Sequence, residues 1–164
     1  MMGEALAAQR LRELLNYDPE TGVLTWRVGR QGNAGAGSVA GDVNARGYRR
    51  VSVDRRRVMA HVLIWVIVTG EWPDRDIDHV NGVRSDNRWS NLRLATRSEN
   101  NQNQRNARRD NVAGLLGVSP NRDRWAASIT VDGQKQHIGT YDTPELAHAA
   151  YLDAKRRVHI ACTI

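Results

Sequence analysis

The sequence predicts an α+β chain. It should carry a ββα module with β-rich N-terminal support, followed by a small three-stranded antiparallel sheet with one helix. Three observations predict this. Two short strand-like runs, Arg75 to His79 and Leu92 to Ala95, lead straight into a helix start. That start, Thr96-Arg97-Ser98-Glu99, has a hydroxyl at the N-cap and a carboxylate three residues on, the pattern of a capping box. Far downstream, Trp125, Ala127, Ile129 and Val131 alternate with more polar positions, and Asp132-Gly133 marks a hairpin turn.

The elements follow in order. Glu4 to Leu15 is rich in Ala, Leu, Arg and Glu, with Leu11, Leu14 and Leu15 at helical spacing, and reads as a short helix. Tyr17 to Gly22 contains Asp-Pro and Gly and reads as a turn. Val23 to Trp26 is a strand, and Gly29 to Gly41 a Gly-, Ala- and Ser-containing loop. Tyr48 to Val53 is a strand, Asp54-Arg55-Arg56 turns it, and Arg57 to Met59 pairs back. Ala60 to Thr69 is apolar all round; Gly70 and Pro73 as stop signals make it a buried helix. After the ββα module, Leu115 to Ser119, Arg124 to Val131 and Gln134 to Thr140 are three strands. Thr143-Pro144 then opens a helix to about Val158, because Thr caps and Pro is tolerated at the first helical position. The predicted domains are 1–112 and 113–164.

Composition narrows the function. The 164 residues are 40% hydrophobic and 26% charged, a globular balance without the signature of disorder. The lone cysteine, Cys162, excludes an internal disulfide or a zinc site built on cysteines, and fits a reducing compartment. No leader is recognised, and His61 to Val68 is far shorter than the ~20 apolar residues of a membrane span, so the expectation is a cytoplasmic protein. Net charge is +6, and apart from Lys135 and Lys155 every basic residue but the histidines is arginine. Arginine presents a planar fork to phosphate oxygens and base edges, which favours a nucleic-acid partner. A GC-rich genome would produce the same bias.

The middle segment carries the chemistry. Asp78 and His79 end one strand, Asn91 opens the next, and Asn100 lies in the first turn of the following helix. A carboxylate and a carboxamide are hard oxygen donors, suited to one Mg²⁺ or Mn²⁺ that keeps waters for phosphate oxygens to replace. On an extended strand the side chains of Asp78 and His79 point to opposite faces, which frees the imidazole to act as general base on a water. Asn91 would brace the loop behind His79. His61, at the start of the apolar helix, reads as a structural histidine. Arg93 and Arg97 either grip phosphate or solvate the hairpin, and their place beside the metal pair favours phosphate; Arg105, Arg108 and Arg109 form either a solvated charged face or a stretch that tracks a nucleic-acid backbone.

At Ile77-Asp78-His79-Val80-Asn81-Gly82, Asp86-Asn87-Arg88-Trp89-Ser90-Asn91-Leu92-Arg93 and Ala95 to Asn103 the chain resembles the HNH nucleases, the ββα-metal family, of phage and homing type. The likeness covers about residues 45 to 105. It implies a DNA endonuclease using a single Mg²⁺ or Mn²⁺ per site and no zinc, with Asp78 and Asn100 as metal ligands, His79 as base and Asn91 as brace. The third motif position is Asn rather than His, and Asn101 and Asn103 are neighbouring candidates for the second ligand.

The tail, from Gly117-Val118-Ser119 through Arg124 to Ile129 and Ile138 to Tyr151, resembles the Apetala or ethylene-response-factor DNA-binding domain. The resemblance implies a sheet that docks on duplex DNA. Arg124, Ser128 and Thr130 face outward by alternation, and with Lys135 and His137 on the next strand and Arg122 in the turn they are the DNA-face candidates; plant members carry more Arg and Trp there. A small βββα unit can equally be a protein-binding cap. The expected function is a phage or homing DNA endonuclease that nicks double-stranded DNA, as a monomer or weak homodimer, without membrane association. The alternative is a non-cleaving DNA-binding regulator that keeps the fold; RNA cleavage is a third reading.

Overall fold

A computed structural model describes residues 7–29, 35–131 and 133–159. Glu4 at the expected helix start, part of the Gly29–Gly41 loop, Asp132 of the expected hairpin turn, and Cys162 lie outside them. The described residues form a mixed α and β chain of small antiparallel sheets and four α-helices. The chain divides into two compact units, residues 1–95 and 96–164.

In the first unit, α1 (Ala8–Leu14) buries Leu11 and Leu14 and packs on α2 (Ala60–Thr69), itself buried through Ala60, His61, Leu63, Ile64 and Val66. The α2 helix stops at Gly70, whose left-handed φ of 87° a side chain would strain. Arg12 on α1 donates from Nε and Nη2 to the Ile67 carbonyl, satisfying a helix-end acceptor. Leu15 does not extend the first helix as expected. It begins β1 (Leu15–Asp18), which pairs with β2 (Val23–Trp26), so Tyr17 and Asp18 are strand and the turn is only Pro19 to Gly22. Pairing of Leu15 with Trp26 outweighs the helical propensity of one leucine at the helix end. A second sheet orders β3 (Asp42–Val43), β4 (Arg49–Val53) and β5 (Arg56–Met59), with β4 in the middle. The β4–β5 turn is the two residues Asp54 and Arg55, both left-handed, rather than three, because Val53 pairs directly with Arg56. Next, β6 (Asp76–His79) pairs with β7 (Leu92–Ala95) across a loop that ends in a 3₁₀ turn at Trp89–Asn91.

The second unit opens with α3 (Arg97–Gln102). Both bonds of its capping box form: the Thr96 hydroxyl accepts from the Glu99 amide, and the Glu99 carboxylate accepts from the Thr96 amide. Three strands follow, β8 (Val118–Asn121), β9 (Arg124–Val131) and β10 (Gln134–Tyr141), with β9 central, and α4 (Pro144–Val158) covers one face. Strand β8 starts at Val118 rather than Leu115. The reason is Gly117: it sits at φ 78°, and a Cβ there would lie 2.0 Å from the Tyr151 ring of α4. Thr143 caps α4 through the Leu146 amide, as its sequence promised. The core of this unit is Val118, Ala127, Ile129, Ala147 and Tyr151. Buried Lys155 reaches from α4 to the Gln104 carbonyl, tying the segment after α3 to the helix.

Candidate active site

In the β6–β7 register Asp78 faces Arg93 and His79 faces Leu92. The pleat therefore sends the Asp78 and His79 side chains to opposite faces. Both are buried, at 6% and 4% exposure. Asp78 is bound by Arg93, whose Nε and Nη2 both donate to one carboxylate oxygen at 3.1 and 2.8 Å.

The loop between the strands is held shut by Asn91. Its Oδ1 accepts from the Asn81 amide at 2.8 Å, and its Nδ2 donates to the Asp86 carbonyl at 2.7 Å. One buried carboxamide thus joins the two ends of the loop that leaves His79. Asn81 Nδ2 adds a bond to Asp86, and Arg88 grips both oxygens of the same carboxylate. These donors, Arg88 foremost, hold the Asp86 carboxyl down to about 2.

Within this loop lies a residue that spacing alone did not single out. Asn87 is 2% exposed, and its Oδ1 is 3.1 Å from His79 Nε2. Asn87 Nδ2 donates to the Ser85 carbonyl, so Oδ1 is the acceptor and Nε2 carries the proton. In the neutral ring the basic nitrogen is then Nδ1. Burial lowers the His79 pKa, opposed by the Asn87 hydrogen bond and the charges of Asp78 and Asp86. The ring is accordingly neutral near pH 7 and able to accept a proton.

Asn87 is in turn fixed from β1 and its turn. Tyr17 Oη donates to the Asn87 carbonyl at 2.9 Å, and the Trp89 amide donates to the Pro19 carbonyl. Gly22 presses so closely that an added Cβ would lie 2.4 Å from the Arg88 nitrogen. Burial first, then neighbouring carboxylates, push the Tyr17 hydroxyl up to about 12, so it stays a donor.

The sequence predicts a structural role for His61, and the structure sets it against His79. Its ring meets the His79 ring edge-on, 5.1 Å between centroids, and Tyr48 lies 5.5 Å from His61 and 6.0 Å from His79. Burial, with His79 second, pushes His61 down to about 4. Its buried Nδ1 has no hydrogen-bond partner among the described residues. Only a residue pattern joining α2 to β6 could have signalled this pair, and no local spacing carries it.

Four of the sequence-derived residues, Asp78, His79, Asn91 and Arg93, therefore gather on one hairpin. Arg97 and Asn100 fall on α3 in the second unit, Arg97 exposed and Asn100 half-buried. Arg108 and Arg109 are exposed and Arg105 half-buried in the stretch after α3. Of the remaining residues, Arg124, Ser128, Thr130, Lys135 and His137 lie on strands of the β8–β10 sheet. Ser128 pairs with His137 and Thr130 with Lys135, and directly paired residues lie on the same side. Arg124 is exposed and makes a surface ion pair with Asp142, while Arg122 occupies the β8–β9 turn at a left-handed φ of 54°. The opposite side carries Ala127 and Ile129 into the core.

Among the described residues no three His, Cys, Asp or Glu side chains cluster as a metal site. A divalent ion held at Asp78 would thus draw its other ligands from amide oxygen, water and substrate, which are hard oxygen donors. No described helix is long and apolar enough to cross a membrane.

Comparison with known proteins falls on the same segment. A curated relative, Protein 3.8 of Escherichia phage T7, is 29% identical over 102 residues, which cover 60% of this chain and 83% of that protein. No solved structure matches. Residues 58–102, from the end of β5 through α3, match the family model described as HNH endonuclease, and that match points to a nuclease acting on DNA.

Proposed function

We propose that the chain is a metal-dependent DNA endonuclease that hydrolyses phosphodiester bonds with His79 as general base. The observation that carries this reading is the His79–Asn87 contact: a buried, neutral imidazole whose Nε2 proton is pinned, so that Nδ1 is the nitrogen that takes a proton from water. Asn91 keeps the loop behind the base closed. Asp78 and Asn100 would hold the cation, with Asn101 and Asn103 as neighbouring candidates. A bound divalent ion would supply Lewis-acid stabilisation of charge on the phosphate and leaving oxygens.

In this reading the sheet face bearing Arg124, Ser128, Thr130, Lys135 and His137, with Arg122 in the adjoining turn, docks on double-stranded DNA as an Apetala-like module. Arg97, Arg105, Arg108 and Arg109 follow the backbone, and Arg93 would be available to phosphate where Asp78 serves as a metal ligand. The ion is Mg²⁺ or Mn²⁺, and a single site per chain makes nicks, in a phage or homing setting. The test is purified protein on supercoiled plasmid with Mg²⁺, Mn²⁺ or chelator. Nicking that needs metal and vanishes in His79→Ala supports the reading; equal nicking by His79→Ala overturns it.

The Arg93–Asp78 pair favours a second reading. A carboxylate already neutralised by a guanidinium needs no cation, as in a DNA-binding protein that does not cut. DNA binding without nicking at any metal concentration would select it.

A further inference from the structure

Three arginines project from the β6–β7 hairpin, and they are not equivalent. Arg88 is committed to Asp86 and Arg93 to Asp78. Arg84 has no carboxylate within ion-pair distance among the described residues, yet it is held at two points. Its guanidinium carbon lies 5.0 Å from the centre of the Tyr48 ring, and its Nη1 donates to the Arg46 carbonyl at 3.0 Å. The residue is exposed. A long cationic side chain on a surface normally samples many rotamers; this one is stacked and anchored with its charge uncompensated.

Its location gives that charge a use. The Tyr48 ring under Arg84 is the ring that also lies 6.0 Å from His79. Cation and base thus share one aromatic platform. A guanidinium has five N–H donors, and with one spent on Arg46 the others remain in a fork that matches two oxygens of a phosphodiester.

We infer that Arg84, stacked on Tyr48, is the group that grips the phosphate presented to His79. The inference rests on the nuclease reading and adds its phosphate contact. It assigns the neighbouring phosphate to the one arginine of the hairpin not engaged with a carboxylate, and it gives Tyr48 the task of holding that arginine in place. A rival role is a strut joining the hairpin to the segment around Arg46.

Two experiments on the full chain separate these. In the first, the arginine Nε–Hε resonances are followed by NMR while inorganic phosphate, and then a short DNA duplex, are added. The Arg84 signal, identified by its loss in Arg84→Lys, should shift and saturate with both. No shift, while other arginine signals respond or while nothing binds, overturns the inference. In the second, Arg84→Gln should lower kcat for cleavage about 100-fold with KM little changed, as for removal of one preorganised donor to a reacting group. Arg84→Lys should recover part of the loss, and melting temperatures should stay close to wild type. Wild-type cleavage by Arg84→Gln, or loss only in step with a fall in melting temperature, overturns it. If the wild-type chain cuts under no condition, the nuclease reading fails, and the NMR titration alone still decides whether Arg84 takes phosphate.

Discussion

The Oδ1 atom of Asn87 sits 3.1 Å from Nε2 of His79, with both side chains buried. This contact sets which imidazole nitrogen holds the proton. In Asn87→Ala the ring loses its acceptor and both tautomers become available. Long-range ¹H–¹⁵N spectra should show the Nε2–H form giving way to a mixture. Cleavage should slow by about tenfold or more, since general-base catalysis contributes about 10²–10⁴ and only part depends on the tautomer. A ring that stays wholly in the Nε2–H form would remove Asn87 from the account.

Asn91 makes two bonds of opposite sense, accepting from Asn81 and donating to Asp86. Asn91→Asp keeps the acceptor but turns a carboxylate oxygen toward the Asp86 carbonyl. Asn91→Ala removes both bonds. Each variant should lose about 2–4 kcal/mol, from two buried groups left unmatched at about 1–3 kcal/mol each. Denaturant unfolding would measure it, and a loss below about 0.5 kcal/mol would mean that the loop closes without this side chain.

His61 ties pH to stability. Its folded-state pKa, about 4, lies below the ordinary 6.5, so between those values the unfolded chain binds more protons. Its contribution is complete above about pH 6.5, falls as pH drops toward 4, and is level below that. His61→Leu should flatten this slope, by up to roughly 3 kcal/mol across the window, and should not destabilise the protein at pH 7, because it removes an unpartnered buried nitrogen. Unfolding curves at pH 4.5 and 7.5 for both proteins test this.

The Arg93–Asp78 pair makes metal binding visible in stability. Arg93→Ala leaves the buried Asp78 carboxylate without its guanidinium and should cost about 2 kcal/mol in chelator. Added Mg²⁺ or Mn²⁺ should then raise the melting temperature more in the variant than in wild type, because the cation no longer competes with Arg93. Equal metal effects would argue against Asp78 as a ligand.

Gly22 connects a distant turn to His79. A methyl group there would strike the Asn87 and Arg88 backbone at 2.4–2.5 Å, and the left-handed φ of 74° adds strain. Gly22→Ala should lower stability by about 1–3 kcal/mol, as overpacking does. It should also disturb the His79 tautomer, although residue 22 is remote in sequence. An unchanged His79 spectrum would uncouple the turn from the site.

Much of this protein was legible residue by residue. The capping box at Thr96, the Thr143-Pro144 start of α4, the Gly70 stop and the alternation of β9 were read correctly, because each is a local matter of backbone donors, φ angles or period two. The spacing of Asp78, His79 and Asn91 singled out the hairpin on which the structure gathers them. Where local signals were weak, at Leu15 and at Leu115, strand pairing and the packing of Gly117 on Tyr151 decided instead. Beyond Asn87, eight residues along the same loop, the surroundings of His79 belong to the tertiary structure. Tyr17 bonds to Asn87 across 70 residues, and His61 meets His79 from another element, because burial brings remote side chains within reach and no spacing along the chain records which ones. The sequence alone thus determined which chemical groups are present; the fold decided which nitrogen bears the proton and which arginines are already taken by carboxylates.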